Sequence, residues 1–520
     1  MPMARFLGLR GSRLNAATII CVLMPGILSV GYNAASLGGV LSLRSFEMQF
    51  REIDVDEALD KNHASAVQGT VMAVYTIGGF LGTFTCIWLG DLLGRRRIIM
   101  WGAIVQIVGA VLNSCAYKLA QLVVCRLVLG LGTGALLGTI PLWLTEISPA
   151  VKRGSHVATK GIFGGLGCAI ALFLDFGLSL RDGKMAWRLP AAFPIIFSLT
   201  VAGFITFLPE SPRWLIQRGR IAEARDTLAA LEDLALDDRE LETRIEDMQA
   251  SLRRSGNQNT LRQLFSMGPQ RTSHRAFLAM TAMTFLQLTG ATVTQFYTTA
   301  IFENNLGLQE STSRLLAAVY QLMGPIGGIL CVLTIERLGR RALLMSSAAG
   351  NTICLTLIAI LGSMTGNLAA AHGAVLFIFL FHFSYIIGFG SIPYLYASEI
   401  APMQLRVTIS SISISISWAI SILVANVTPI AFNNMGQRYF LFYAGFNACM
   451  IPAVFYFFPE TSGRSLEEID EVFTCAKGFL DAVAIAKKLP PRMQLEIPAV
   501  PEKGMLVDAK SLDSPLESPI

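Results

Sequence analysis

The sequence predicts an all-α membrane protein with twelve membrane-spanning helices, arranged as two six-helix halves that run in the same direction and are joined by a cytosolic helical linker. The first observation is composition. Of 520 residues, 53% are hydrophobic and 15% charged, and the mean hydropathy is +0.54. A soluble domain carries roughly 25% charged residues. The second observation is a series of long apolar segments, and the third is a set of short sequences that occurs once in each half.

Each apolar segment is long enough to cross a bilayer, which takes about 20 residues. An unpaired backbone polar group is costly in lipid, and these segments do not alternate as barrel strands do, so they are predicted to be helices. The predicted helices, labelled α1 to α12, are 14–41, 64–89, 97–116, 119–146, 155–178, 188–208, 276–304, 312–335, 341–363, 372–398, 407–431 and 438–458.

Basic residues set the orientation. Arg95, Arg96 and Arg97 follow α2 and Lys152 follows α4, whereas the loop at 42–63 is acidic. Basic loops favour the cytosolic side. Both termini are therefore expected in the cytosol, and the plasma membrane is the expected location.

The polar segments define the domain boundaries. The stretch between α6 and α7 has a helical pattern, and the end of the chain is Pro-rich, which favours disorder. The predicted divisions are a cytosolic N-terminus at 1–13, an N-terminal half at 14–208, a helical linker at 209–275, a C-terminal half at 276–458, and a cytosolic tail at 459–520 that is disordered after about residue 490.

Three short segments recur at nearly equal offsets. LGRR at 93–96 recurs at 338–341, EISP at 146–149 recurs as EIAP at 399–402, and PES at 209–211 recurs as PET at 459–461. Each falls at a predicted cytosolic helix end. Six helices therefore repeat in the same orientation, as in transporters built from parallel repeats.

The repeated carboxylates and guanidinium groups suggest a conformational latch. Such groups form bidentate pairs, and pairs on the cytosolic side are expected to hold the halves together until the cavity opens inward. The alternative is that LGRR is only a positive-inside turn. The candidate latch residues are Asp91, Arg95, Arg96, Glu146, Arg153, Glu210, Arg213, Glu336, Arg340, Arg341, Glu399, Arg406 and Glu460.

Together these motifs resemble those of the sugar porter family of the major facilitator superfamily, and their residues are similar to those of its fungal members. The matching segments are GDLLGRR at 90–96, RLVLGLGTG at 126–134, PLWLTEISP at 141–149, PESPRWL at 209–215, ERLGRR at 336–341, YLYASEIAP at 394–402 and PETSGRSLEE at 459–468. The resemblance covers nearly all of 15–475. It implies the major facilitator fold and alternating access, with the substrate bound near the bilayer midplane between the halves.

The resemblance also exposes departures in the expected cavity. Sugar porters carry QQ-x-x-G-x-N on α7, where this chain keeps Gln287 but has Leu286 and Thr292. Other family amides and the α10 tryptophan fall at Gly161, Gly324, Tyr394 and Ser421. Hydroxyl groups need partners once they leave water, so a glucose site of the usual kind is weakened. The expected substrate is a sugar, a polyol or a less hydroxylated metabolite. The candidate substrate-binding residues are Gln287, Thr292, Tyr297, Tyr394, Asn33, Lys160, Trp418 and Ser421.

Lys160 lies about two helical turns, roughly 10 Å, from Arg153. An ionisable residue inside a spanning helix is a functional candidate. Two interpretations stay open: its side chain extends to the cytosolic interface, or it faces an anionic substrate.

Proton coupling depends on titratable groups inside the membrane. Family symporters carry an acid in a GYD motif near an arginine on α4, but this chain has Asn33 after Gly31-Tyr32 and retains Arg126. Asparagine carries no proton, which favours facilitated diffusion. The other possible coupling residues are Asp175, expected near the outer interface, and His382, expected to pack rather than titrate.

Other classes of function lack a motif. No HExxH, GxSxG or Walker sequence is present, so an enzyme is not expected. No cofactor, metal or nucleic-acid partner is expected. The partners are a small solute and the lipid bilayer, and the protein is expected to be a monomer. A proton-coupled symporter or exporter of an organic acid, and a transporter-like nutrient sensor, remain alternatives.

Overall fold

The computed structural model describes residues 6–41, 43–53, 61–148, 153–180, 183, 185–254, 271–305, 309–364, 367–402, 405–464, 466–476, 478 and 480–488. In these residues the named elements are all helical. Twelve helical segments are long and apolar enough to cross a membrane, which confirms the predicted fold class. They are α1 Gly11–Val40, α2 Ala66–Gly90, α3 Arg95–Ser114, α4 Leu119–Ile147, α5 Thr159–Ser179, α6 Met185–Ile205, α7 Thr272–Thr299, α8 Glu310–Leu338, α9 Arg340–Gly362, α10 Leu368–Ile400, α11 Thr408–Phe432 and α12 Gly436–Phe457.

Three helices of the C-terminal half are interrupted: α8 at Leu322, and α7 and α10 over two or three residues. In α7, the first helical segment ends at Leu288 and the second starts at Ala291. Gly290 between them has a φ of +90°, a conformation that favours glycine. In α10, the segments are Leu368–Gly388 and Ile392–Ile400. Irregular backbone at membrane depth is tolerated where it lies inside protein or lines a cavity, so the breaks in α7 and α10 mark the inner surface of this half.

The two halves pack against each other at glycines. A Cβ atom added to Gly165 on α5 would lie 2.7 Å from the Cα of Gly324 on α8. On α2, a Cβ atom at Gly79 would lie 2.9 Å from the Trp418 ring of α11. Small residues let helices approach closely in a membrane. These contacts set the distance between the halves along α5–α8 and α2–α11.

Short helices of the linker and the tail cover one end of the helix bundle. The linker contains Pro212–Gln217, Ile221–Glu232 and Arg239–Arg254, which share an apolar core formed by Trp214, Leu228, Leu241 and their neighbours. The tail contains Leu466–Cys475 and Asp481–Lys488, packed under the C-terminal half. The predicted disorder after about residue 490 concerns a segment outside the described residues.

Candidate functional site

A cavity of about 160 Å³ lies between the two halves. This is smaller than the roughly 300–1,000 Å³ of pockets for drug-sized ligands. Six of the predicted substrate-binding residues line it: Gln287, Thr292, Tyr394, Lys160, Trp418 and Ser421. The cavity therefore suits a small solute and gathers most of the predicted site.

The wall from the C-terminal half is rich in neutral polar groups. Gln287 Nε2 donates a hydrogen bond to Ser417 Oγ at 2.8 Å. The hydroxyl of Thr292 donates to Gln287 Oε1. The break at Gly290 separates Gln287 from Thr292 and lets both side chains meet. Gln287, which α7 retains from the family's QQ pair, is thus held in place by hydrogen bonds within its own half.

The wall from the N-terminal half is mostly apolar or without side chains. Gly161, Gly164 and Gly165 of α5 line the cavity. The charged group on this wall is Lys160, which is 8% exposed. Its Nζ lies 2.7 Å from the centroid of the Tyr394 ring on α10. A cation over an aromatic face is attracted by the ring quadrupole, so this contact joins the halves. The side chain of Lys160 therefore lines the cavity and does not extend to the membrane surface.

Two predicted substrate-binding residues are not placed in the cavity lining. The hydroxyl of Tyr297 donates to the carbonyl of Ala425 at 3.0 Å, which ties α7 to α11. Asn33 is buried, and its Nδ2 donates to Ser29 Oγ at 3.5 Å. Ser29 in turn donates to Gln106 of α3. Asn33 therefore lies on the face of α1 that packs into its own half.

Sequence reasoning missed several polar residues of the lining. Gln295, Gln321, Tyr385 and Ser417 all contribute to it. Gln295 Nε2 donates to Cys168 Sγ across the halves at 3.1 Å. A lone amide inside an apolar span was the available signal for Gln295 and Gln321. Neither Gln295 nor Gln321 matches a family motif.

The three possible coupling residues occupy different places. Arg126 is buried beside the Tyr75 ring, 5.2 Å from the ring centroid. Asp175 lies near the outer end of α5 but is enclosed by protein at 3% exposure, against Gly39. His382 lines the central cavity. The structure does not bring the three together, and whether any of them carries a proton stays a prediction.

The repeated charges of the N-terminal half form a compact cluster. Arg95 makes two hydrogen bonds to Glu146, at 3.0 and 3.2 Å. The backbone N–H of Arg95 donates to Glu210 at 3.1 Å. Glu210 thereby satisfies the free N–H groups at the start of α3. Burial raises the pKa of Glu210 above its ordinary value, and the hydrogen bonds from Ser211 and Arg96 oppose this shift.

The C-terminal half repeats this cluster. Arg340 pairs with Glu399 at 3.0 Å and with Glu336 at 2.8 Å. The backbone N–H of Arg340 donates to Glu460 at 2.9 Å, and that of Arg341 donates at 3.0 Å. Glu460 therefore accepts hydrogen bonds from the first N–H groups of α9, as Glu210 does from those of α3.

Among the described residues, the ion pairs of these two clusters, Arg95–Glu146, Arg340–Glu336 and Arg340–Glu399, each join residues of a single half. Arg96 and Arg341 donate hydrogen bonds to backbone carbonyls of their own halves. Arg213 interacts electrostatically with Glu146. Arg406 is buried. The side chains of Asp91 and Arg153 lie outside the described residues. A latch between the halves stays a prediction, whereas pairing within each half is observed.

Two parallel six-helix halves with a small-molecule cavity between them define a membrane transporter. The chain belongs to the "Sugar (and other) transporter" family, whose model matches residues 18–473. Its members are transporters and not enzymes.

Similar proteins include "Sugar transporter STL1" of Saccharomyces cerevisiae, 33% identical over 93% of this chain and 85% of that protein. "MFS-type transporter oryC" of Aspergillus oryzae is 29% identical over 98% of this chain and 95% of its own length. Among solved structures, the proton:xylose symporter XylE bound to 6-bromo-6-deoxy-D-glucose has a TM-score of 0.77 at 19% identity, covering 89% of this chain and 100% of that one. The structural likeness shows the major facilitator fold.

Proposed function

We propose that this protein moves a neutral sugar or sugar-like solute across a membrane by alternating access, as facilitated diffusion. The observation that carries the proposal is the cavity of about 160 Å³ between the halves, with amides and hydroxyls on one wall. A buried hydroxyl group costs free energy unless it is paired. Amide and hydroxyl side chains supply such pairs, which an apolar cavity does not.

Alternating access requires the halves to move as units. The ion pairs within each cytosolic cluster tie helix ends of the same half together. The glycine contacts between α5 and α8 join the halves by close packing instead of charge. Rigid halves with a closely packed seam support rocking about a central site.

Facilitated diffusion is supported by the surroundings of Arg126. Among the described residues Arg126 contacts the Tyr75 ring, and Asn33 donates a hydrogen bond to Ser29. Neither residue supplies a carboxylate that could carry a proton beside the arginine. XylE, by its title, is a proton symporter, so coupling must be tested in this protein directly.

The test is an uptake panel in a yeast strain that lacks its own transporters for these solutes. Hexoses, pentoses, disaccharides, polyols and small organic acids are compared with and without a protonophore. We expect uptake of a neutral hydroxylated solute that the protonophore leaves unchanged. Alkalinisation of the medium on solute addition would overturn facilitated diffusion, and uptake of organic acids alone would overturn the neutral substrate.

A second candidate function is transport of an organic anion, in either direction and with or without protons. The observation that favours it is the buried ammonium group of Lys160 in the cavity lining. A transporter-like sensor is the third alternative, and it predicts signalling without uptake in the same panel.

We also propose a plasma-membrane location with both termini in the cytosol, and a monomeric protein. Basic loops on one side support the orientation. Epitope tags at each terminus should be accessible only after permeabilisation, and light scattering in detergent should give the mass of one chain.

A further inference from the structure

Gln321 and His382 line the cavity wall and use none of their hydrogen-bonding atoms within the described part of the chain. Gln321 of α8 is 1% exposed, and His382 of α10 is 5% exposed. Both amide atoms of Gln321 and both ring nitrogens of His382 are buried without a hydrogen-bond partner. Leaving such a group unpaired costs about 1–3 kcal/mol. A fold that keeps two of them on the wall of its central cavity calls for a functional explanation.

Both side chains lie close to Gly324, near the start of the second segment of α8. Gln321 precedes Gly324 by three positions in α8, so the two residues share a helix face. A Cβ atom at Gly324 would lie 3.5 Å from His382 Nε2. His382 also packs against Tyr320, with ring centroids 4.4 Å apart. The amide and the imidazole therefore form one polar patch on the C-terminal wall.

This patch faces the seam between the halves. Gly324 contacts Gly165 of α5, and Gly161 and Gly164 lie on the same wall. Because Gly161, Gly164 and Gly165 are glycines, these three positions of α5 place no side chain over the patch. A solute held by the patch would contact both halves and would affect how they move.

The chemistry of the patch selects one class of solute. A glutamine amide offers a donor and an acceptor, and so does a neutral imidazole. A hydroxyl group also donates and accepts, so neighbouring hydroxyls satisfy every atom of the patch. A carboxylate only accepts, which would leave Gln321 Oε1 facing a negative charge. The cation that would favour an anion, Lys160, lies over the Tyr394 ring.

We propose that Gln321 and His382 form a solute-binding subsite that pairs with neighbouring hydroxyl groups of a neutral polyhydroxylated solute. This inference rests on the proposed function and deepens it. The two residues are specificity determinants that no family motif in the sequence marks. They act beside Gln287, which its own half already holds.

The experiment measures uptake of radiolabelled D-glucose, D-xylose and xylitol in the transporter-deficient strain, with 2-deoxy- and 3-deoxy-D-glucose as competitors. Gln321→Leu and His382→Phe should each raise KM about tenfold, which corresponds to about 1.4 kcal/mol. Loss of one substrate hydroxyl should weaken binding to the wild-type protein but not further weaken binding to the variant that has lost its partner. His382→Gln, which keeps a donor and an acceptor, should restore much of the affinity.

The matched control is Tyr320→Phe. Tyr320 is buried next to both residues, but it is not part of the cavity lining. Its variant should keep the wild-type KM and the wild-type response to the deoxy sugars. Fluorescence of a C-terminal tag gives the amount of inserted protein, so that uptake is compared at equal expression.

A second measurement uses the wild-type protein alone. Saturating D-xylose or xylitol, whichever is transported, should slow modification of His382 by diethyl pyrocarbonate, read by peptide mass spectrometry. The subsite is overturned if solute gives no protection, or if inserted Gln321→Leu and His382→Phe keep wild-type KM and discrimination. Absence of any neutral uptake by the wild-type protein would instead overturn the proposed function.

Discussion

At the end of the N-terminal half that meets the linker, Arg95 pairs with Glu146 at 3.0 Å, and at the matching place in the C-terminal half Arg340 pairs with Glu399 at 3.0 Å. The backbone matches too. Gly94 has a φ of +86° and Gly339 a φ of +82°. Each glycine precedes a helix whose first N–H groups donate to a glutamate from a PE motif.

The same two halves differ in the cavity. The C-terminal half supplies amides, hydroxyls and an imidazole from α7, α8, α10 and α11. The N-terminal half supplies glycines and Lys160 from the unbroken α5. The two charged clusters do the same mechanical task in both halves, so duplication suits them. A small solute has no matching symmetry, so one half binds it and the other gives it room.

The largest expected effect comes from breaking the matching ion pairs. Arg95→Ala and Arg340→Ala should each destabilise the protein by about 3–5 kcal/mol, because a buried carboxylate is left unpaired. The two effects should be similar, since Glu399 is the buried partner that Arg340→Ala leaves, whereas Glu336 is 39% exposed and remains solvated. Apparent melting temperature and the monodisperse fraction in detergent measure the loss.

The control for this prediction is Arg220→Ala. Arg220 pairs with Glu223 at 2.6 Å, but both side chains are about half exposed. Such surface pairs contribute up to about 1 kcal/mol. Equal melting temperatures for Arg95→Ala and Arg220→Ala would show that the cluster does not hold the half together.

The next effect tests whether the glycine wall provides space. Gly165→Ala places a Cβ atom 2.7 Å from the Cα of Gly324, so the seam must open. We expect maximal uptake to fall at least about tenfold, equivalent to about 1.4 kcal/mol. Gly177→Ala on the same helix meets nothing within 4 Å and should leave uptake unchanged. Equal uptake by both variants would contradict a closely packed moving seam.

A smaller, selective effect is expected at the charge that distinguishes the two walls. Lys160→Gln should keep uptake of a neutral solute within about twofold, or about 0.4 kcal/mol. It should abolish uptake of an anionic solute if the protein carries one. Lys118→Gln, at the exposed start of α4, controls for general loss of charge. A loss of neutral uptake as large as that of anionic uptake would assign Lys160 a role in folding or gating instead of selectivity.

The smallest expected effect is a pH dependence in the N-terminal cluster. Burial raises the pKa of Glu210 above its ordinary value of 4.5. The folded state therefore binds more protons than the unfolded state in a window that begins near pH 4.5, and stability from this group falls as pH rises through the folded pKa. Melting temperatures of the wild type relative to Glu210→Gln should decline from pH 4.5 upward. A flat difference across this range would contradict the shift.

Much of the fold could be predicted because it depends on the hydropathy summed over consecutive residues of the chain. Hydropathy over about 20 residues locates a span wherever that span packs. The repeated LGRR and PE motifs located the clusters, since their partners lie at helix ends fixed by the spans. Pairing within each half was harder to foresee, because a charge motif does not say which neighbouring helix end it meets.

The cavity was predicted less completely. Gln287, Thr292 and Lys160 were found through the family pattern or as charged exceptions in apolar spans. Gln321 matched neither criterion and was missed. Asn33 was expected at the substrate, but it faces into its own half.

The sequence by itself determined the twelve spans, their common direction in the two halves, and the charged groups at the helix ends next to the linker and the tail. These features follow from local composition and from repeats that can be read along one dimension. Only the tertiary structure decided which polar groups line the cavity. That choice depends on the rotation of each helix, on the breaks in α7 and α10, and on contacts between distant segments, such as Lys160 with Tyr394 and Gly165 with Gly324.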